Sequence, residues 1–179
     1  MNRRNSLKGA IGLLAFSSIS VANQRATASS NGPSLAPDWR ALPWNTKNAQ
    51  AEGHEVDQSL IEKSWAYLDF WASWCAPCRL SFPFMNQLHT QFAKRGLKII
   101  AISVDKDPRK MIGFLKQNPP DFQILWDSQG HAARAFALQA MPNSFLINPN
   151  KQIVMRHLGF RASDVSELTQ AIEQKLGSS

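Results

Sequence analysis

Cysteines are scarce in this sequence of 179 residues, and their scarcity excludes several classes of small fold. The two that are present cannot build a multi-disulfide scaffold, and they cannot supply the four ligands of a structural zinc site. Charged residues make up 18% and hydrophobic residues 44% of the chain, which disfavours disorder and coiled-coil architecture. No internal repeat or low-complexity segment is present. The length and composition predict one globular domain with a single core.

Acidic residues are absent from residues 1–28, which contain four lysines and arginines. Without these four basic residues the formal net charge of the chain falls from +7 to +3. The remainder has no run of lysine and arginine and no basic stripe with interleaved aromatic residues. A nucleic-acid partner is therefore not expected.

The sequence also lacks an apolar run long enough to be a comfortable transmembrane helix. Residues 1–8 are basic, and residues 9–22 are uncharged and largely apolar, which is the layout of a secretory signal. This apolar run is shorter than the roughly twenty residues that cross a bilayer. Small residues allow cleavage after Ala22 or, preferably, after Ala28. We expect residues 1–28 to be an export signal peptide, with an uncleaved anchor as the alternative, and the absence of a nearby cysteine excludes a lipoprotein.

The basic start of the chain bears on the route of export. The segment NRRNSLK at residues 2–8 resembles the twin-arginine export motif, although Ser6 stands where that motif usually has phenylalanine. The twin-arginine and general routes both remain open. Each ends outside the cytoplasm, so the predicted localisation is periplasmic or otherwise extracytoplasmic.

The body of the chain alternates between strand and helix patterns. Prolines and small polar residues predict a linker at residues 29–43, followed by the folded domain at residues 44–179. The run WAYLDFW at residues 65–71 predicts a buried central strand. Helices are predicted at residues 81–95, 107–117 and 132–138 and after Ser163, and further strands at residues 97–104, 122–126, 144–147 and 152–160. This order predicts a mixed α/β fold, with residues 148–151 forming a hairpin turn.

The motif Trp74-Cys75-Ala76-Pro77-Cys78-Arg79 lies between the buried strand and the first helix. A separation of two residues lets the sulfurs form a reversible disulfide, with Cys75 facing outward and Cys78 tucked against the helix. The positive end of the helix favours the thiolate of Cys75, which makes Cys75 the better nucleophile. A structural disulfide closing so small a loop would remove little entropy from the unfolded chain. The four histidines lack ligand spacing, so we expect redox chemistry with no metal and no cofactor.

The segment LDFWASWCAPC at residues 68–78 looks like the active-site strand and turn of thioredoxin-fold proteins. Together with the export signal, the Ala-Pro-Asp element at residues 36–38 and the MPNSFLI segment at residues 141–147, it makes the chain resemble the TlpA/ResA-like thiol–disulfide oxidoreductases over residues 36–177. The resemblance implies a thioredoxin fold, with a central mixed β-sheet flanked by helices and an N-terminal extension.

The same resemblance implies roles for residues near the cysteines. It implies that Pro142 is cis and faces the cysteine pair, with the backbone of Met141 exposed to pair with an extended substrate segment, whereas the alternative is an ordinary trans turn proline. Trp74 is expected in the same apolar rim, with simple packing as the alternative.

Asp69 lies within the apolar strand, where a carboxylate is costly unless it is paired or protonated. In thioredoxin an aspartate at the matching position relays protons, whereas many TlpA-like chains have asparagine there. We therefore expect a raised pKa at Asp69 and deprotonation of Cys78 by its carboxylate. The alternative is a structural carboxylate with satisfied hydrogen bonds.

These features predict a reductase that acts on disulfides of exported proteins, with cytochrome c maturation or metal-site assembly as candidate settings. The family resemblance implies a membrane thiol transporter of the DsbD or CcdA kind as its electron donor. A disulfide-donating oxidase and a thioredoxin-fold binding module or metallochaperone are the alternatives. A peroxidase is disfavoured because Ala72 stands where that chemistry requires threonine three residues before the cysteine.

Overall fold

The computed structural model describes residues 33–177 of the chain, and the predicted export signal lies outside the described residues. The helices are α1 Cys78–Phe92, α2 Pro108–Gln117, α3 His131–Ala135 and α4 Asp164–Gly177. The strands are β1 Ser34–Leu35, β2 Arg40–Asn45, β3 Gln50–Ala51, β4 Val56–Asp57, β5 Trp65–Trp71, β6 Leu97–Ser103, β7 Gln123–Trp126, β8 Asn143–Ile147 and β9 Gln152–Leu158. Across residues 33–177, no helix combines the length and apolar character needed to cross a membrane.

One mixed sheet organises these elements, in the order β1-β9-β8-β5-β6-β7-β2-β3, with β4 paired to β2. The central strand β5 runs parallel to β6 and antiparallel to β8. The predicted fold is confirmed, since this is a central mixed sheet flanked by helices.

Side chains of β5 alternate between the two faces of the sheet and so divide the core in two. Tyr67 and Trp71 pack on the face that α1, α2 and α4 cover, whereas Leu68 and Phe70 pack on the face that α3 covers. Asp69 lies between Tyr67 and Trp71 in the alternation. Its carboxyl group therefore belongs to the face covered by α1, the helix that begins with Cys78.

Local chemistry accounts for several of the element boundaries. Gly96 adopts a φ of 87° in the left-handed region and ends the turn that follows α1. Asp107 caps α2 by accepting a hydrogen bond from the Arg109 N–H. The Asn148 side chain accepts hydrogen bonds from the N–H groups of Asn150 and Gln152, which confirms the hairpin turn.

The N-terminal part of the described chain differs from the predicted linker. Strand β2 begins at Arg40 and pairs with β7, and Trp39 and Ala41 are buried in the core. Pro43 interrupts the alternation of apolar residues in this segment, so the sequence pattern does not predict a strand here. Residues 40–43 thus form part of the sheet rather than a linker.

Two helices also differ in extent from their predicted ranges. Helix α1 begins at Cys78, three residues before its predicted start, because Pro77 already has helical dihedral angles. Helix α3 ends at Ala135, since Ala137 adopts a φ of 48° that a right-handed helix cannot contain.

Candidate active site

Cys75 and Cys78 are joined by a disulfide, with S–S 2.00 Å and Cα atoms 5.3 Å apart. Cys75 is 4% exposed and Cys78 is fully buried. The sequence predicts that Cys75 faces outward, but in the structure it is almost as buried as Cys78. Trp74 and Ala76, on either side of Cys75, are both exposed.

The start of α1 places the positive end of a helix at the disulfide. The Cys78 N–H donates to the Cys75 carbonyl at 3.2 Å, so the turn that contains both cysteines leads directly into the helix. Pro77 occupies the N-cap position, and no acidic residue lies in the first turn. The partial positive charge of the helix end is thus not neutralised locally, and it favours a negative charge on a nearby sulfur.

The Met141–Pro142 peptide bond is cis, as the resemblance implies. The carbonyl of Pro142 accepts a hydrogen bond from the Gly159 N–H at 2.8 Å, which ties this turn to the end of β9. Trp74 and Met141 line the same cleft of about 430 Å³, together with Leu138. The structure therefore brings two of the predicted substrate-binding residues to one largely apolar cleft, whereas the third, Pro142, follows Met141 in the chain but does not line the cleft.

Asp69 is fully buried in β5. The Ser144 Oγ donates a hydrogen bond of 2.6 Å to Asp69 Oδ1, whereas Oδ2 is buried without a hydrogen-bond partner among the described residues. Burial raises the pKa of Asp69 to about 7, against the opposing effect of the Ser144 hydrogen bond. The neighbouring Tyr67 has its phenol pKa raised by burial and by the charge of Asp69. The carboxyl group can therefore gain or lose a proton near neutral pH.

Asp105 is a site residue that the sequence analysis does not identify. It is 2% exposed, and its carboxylate accepts hydrogen bonds from the Ser73 N–H and Oγ, both at 2.8 Å, and from the Ser103 Oγ at 3.1 Å. Its carbonyl accepts from Trp126 Nε1 at 2.7 Å. Asp105 thereby anchors the backbone that precedes Trp74. The sequence does contain one indication that Asp105 lies near the active site. Asp105 follows the strand β6, which is parallel to β5, and the carboxyl ends of parallel strands lie at the same edge of a sheet.

A family model described as the AhpC/TSA family matches residues 34–156. The chain belongs to the AhpC/TSA family. A Chlorobium tepidum crystal structure, named as a candidate thiol:disulfide interchange protein DsbE, is 38% identical with a TM-score of 0.72. The match covers 80% of this chain and 96% of that one.

Two curated relatives are named thiol-disulfide oxidoreductase ResA. The Bacillus thuringiensis protein is 27% identical over 116 residues, which cover 65% of this chain and 67% of that protein. The Bacillus subtilis protein is 28% identical over 102 residues, 57% of each chain. Together with the fold and the cysteine pair, these similarities show that the chain is a TlpA/ResA-like thiol–disulfide oxidoreductase of the thioredoxin superfamily.

Proposed function

We propose that this oxidoreductase is an exported reductase of protein disulfides. The observation that carries the proposal is the disulfide between Cys75 and Cys78 at the start of α1, together with a buried carboxyl group, Asp69, on the sheet face that α1 covers. A nucleophile at a positive helix end and a proton acceptor in the core are the two elements that thiol–disulfide exchange requires.

The reaction begins with the reduced pair. The Cys75 thiolate attacks one sulfur of a substrate disulfide, a mixed disulfide forms, and one substrate thiolate leaves. Cys78 then attacks Cys75 Sγ, which breaks the mixed disulfide, releases the second substrate thiolate and leaves the Cys75–Cys78 disulfide. Two electrons pass from the protein to the substrate. The oxidised pair is the state seen in the structure.

Asp69 is the proposed base for the second step. Cys78 is fully buried, so water has poor access to its thiol proton. The carboxylate of Asp69 takes this proton as Cys78 attacks. A pKa of about 7 suits the task because the group is partly ionised at neutral pH and retains a useful affinity for a proton.

The cleft between Trp74 and Met141 supports a substrate-binding role for this edge of the site. Trp74 is 68% exposed, which is unusual for a large aromatic side chain, and it directly precedes the nucleophile. An extended substrate segment would pair with the backbone of Met141 and place apolar side chains in the cleft. Residues Trp74, Met141 and Pro142 thus form the proposed substrate contact.

The signal-like layout of residues 1–28 supports export. A reductase outside the cytoplasm must be recharged with electrons, and we propose a membrane thiol transporter of the DsbD or CcdA kind as the donor. Thiols of apocytochrome c, or of a protein involved in metal-site assembly, are the candidate substrates.

The test is the redox equilibrium of the Cys75–Cys78 pair in the purified protein against a glutathione or dithiothreitol series. A potential near that of thioredoxin, about −270 mV, supports a reductase that must be supplied with electrons. A potential near about −120 mV would overturn the proposed direction and make the protein a disulfide donor.

A further inference from the structure

Three polar residues lie side by side across neighbouring strands on the sheet face that α1 and α4 cover. Asp69 of β5 pairs with Ser144 of β8, and Ser144 pairs with His157 of β9. Directly paired residues in antiparallel strands place their side chains on the same face, with Cβ atoms about 5 Å apart. The register therefore forms a continuous polar row that leads from the buried carboxyl group towards the edge of the sheet.

The outer end of this row meets solvent at α4. His157 Nε2 is itself buried and lies 3.3 Å from Asp164 Oδ2, whereas each side chain as a whole is 24% exposed. Asp164 also accepts hydrogen bonds from the Arg161 N–H and the Ser163 Oγ. These contacts, with the nearby imidazole, lower the pKa of Asp164, so it stays ionised beside the ring.

We propose that Ser144 and His157 form a proton relay that connects Asp69 with solvent. The proposal rests on the role of Asp69 as the base that acts on Cys78. Because Asp69 is fully buried, a proton that it takes up must leave before the next cycle. The Ser144 Oγ is the one hydrogen-bond partner shown for the Asp69 carboxyl group within residues 33–177. Ser144 therefore marks the start of the exit route.

The hydrogen bond between Ser144 and Asp69 explains how a proton can pass from Asp69 towards His157. While Asp69 is ionised, the Ser144 hydroxyl donates to it. Once Asp69 has taken the proton from Cys78, its own O–H donates to Ser144 Oγ, and the hydroxyl proton of Ser144 is free to point away. Transfer of that proton to the imidazole of His157, with transfer of the Asp69 proton to Ser144, restores the starting carboxylate. His157 then releases one proton to water, so that charge and atoms balance.

Tyr67, a further titratable group on this face, does not offer a competing route. It neighbours Asp69 on β5 and its hydroxyl also hydrogen-bonds Ser144, but burial and the charge of Asp69 raise its phenol pKa, so it keeps its proton. It cannot accept a second one at neutral pH. His157 is 24% exposed, and an imidazole ring can both accept and release a proton, which a terminal relay group needs.

The test mixes the reduced protein with a symmetric disulfide of a fluorescent thiol by stopped flow, at pH 7 in dilute buffer, and follows the second phase of thiol release, which reports resolution of the mixed disulfide at Cys75. His157→Gln should slow the release at least about tenfold, and added imidazole should restore the rate. Ser144→Ala should also slow it, whereas Ser144→Thr, which keeps the hydroxyl group, should not. His131→Gln is the matched control, because His131 lies on α3 at the opposite face and should leave the rate unchanged.

Asp69→Asn, measured in parallel, separates the relay from the function on which it rests. If Asp69→Asn slows release but His157→Gln equals the wild type, the relay is wrong and the base remains Asp69. Slow release by His157→Gln that imidazole does not restore would mean a structural role, which also overturns the relay. If Asp69→Asn equals the wild type, Asp69 is not the base and both proposals fail.

Discussion

The carboxylate of Asp105 holds Ser73 by two hydrogen bonds of 2.8 Å, one from the backbone N–H and one from the side-chain hydroxyl. Ser73 lies two residues before Cys75, so these bonds fix the approach of the chain to the nucleophile. The Asp105 carbonyl is in turn bonded to Trp126 of β7. The position of the active-site turn therefore depends on the ends of three strands, β5, β6 and β7.

Replacement of Asp105 by alanine should reduce both stability and reaction with protein substrates. The change leaves the half-buried donors of Ser73 and the buried hydroxyl of Ser103 without acceptors, at a cost of about 2–4 kcal/mol in the free energy of unfolding. We expect a higher KM for a protein disulfide, because Trp74 loses its fixed position. Urea unfolding and steady-state kinetics check this, with Asp121→Ala at an exposed carboxylate as the control. Unchanged stability would show that the hydrogen bonds to Asp105 contribute little.

The two cysteines should behave differently when each is replaced by serine. Cys78→Ser should accumulate a mixed disulfide with substrate, because Cys75 still attacks but nothing resolves the product. Cys75→Ser should form no adduct and should lose function in the cell. Mass spectrometry after acid quenching distinguishes the two variants. Retained cellular function of Cys75→Ser would instead indicate a binding module that acts without exchange.

Local patterns predict much of this structure, and long-range pairing accounts for what they miss. The run at residues 65–71 predicts β5 with its observed bounds, because a strand buried on both faces is continuously apolar. The cysteine motif likewise predicts the site from adjacent residues. Local sequence patterns do not predict the role of Asp105, because it lies 32 residues from Ser73. The hydrogen bonds between the two residues form only when β5 and β6 pair. The bond between Asp69 and Ser144 spans 75 residues and requires the antiparallel register with β8.

The buried carboxyl group should make stability depend on pH in a definite direction. Burial raises the pKa of Asp69 from 3.8 to about 7, so between these values the folded protein binds a proton that the unfolded chain has lost. Stability contributed by this group is therefore present at low pH and falls as the pH rises from about 4 to about 7, by up to about 4 kcal/mol. Denaturant unfolding of the oxidised protein across this window should show the fall, and Asp69→Asn should remove it. If the free energy of unfolding depended on pH in the same way in the wild type and in Asp69→Asn, Asp69 would have an ordinary pKa.

The same group should shape the pH dependence of the resolving step. Because Asp69 acts as a base only when ionised, the rate of mixed-disulfide resolution should rise with pH and level off above about pH 7. Asp69→Asn should lower the rate at least about tenfold at neutral pH and remove this inflection. Stopped-flow measurement from pH 5 to pH 9 provides the profile. An Asp69→Asn profile that coincides with the wild type would leave Asp69 only a structural role.

Trp74 provides a test of the proposed substrate contact that leaves the redox pair intact. Its side chain is 68% exposed and lines the cleft that Met141 shares, so it should contact protein substrates but hardly touch a small disulfide. We expect Trp74→Ala to raise KM for a protein disulfide about tenfold, with little change in the rate with oxidised glutathione. Leu35→Ala is the matched control, because Leu35 is similarly exposed, at 71%, but lies on the edge strand β1. An equal loss with both substrates would mean that Trp74 supports the geometry of the cysteines rather than binding the substrate.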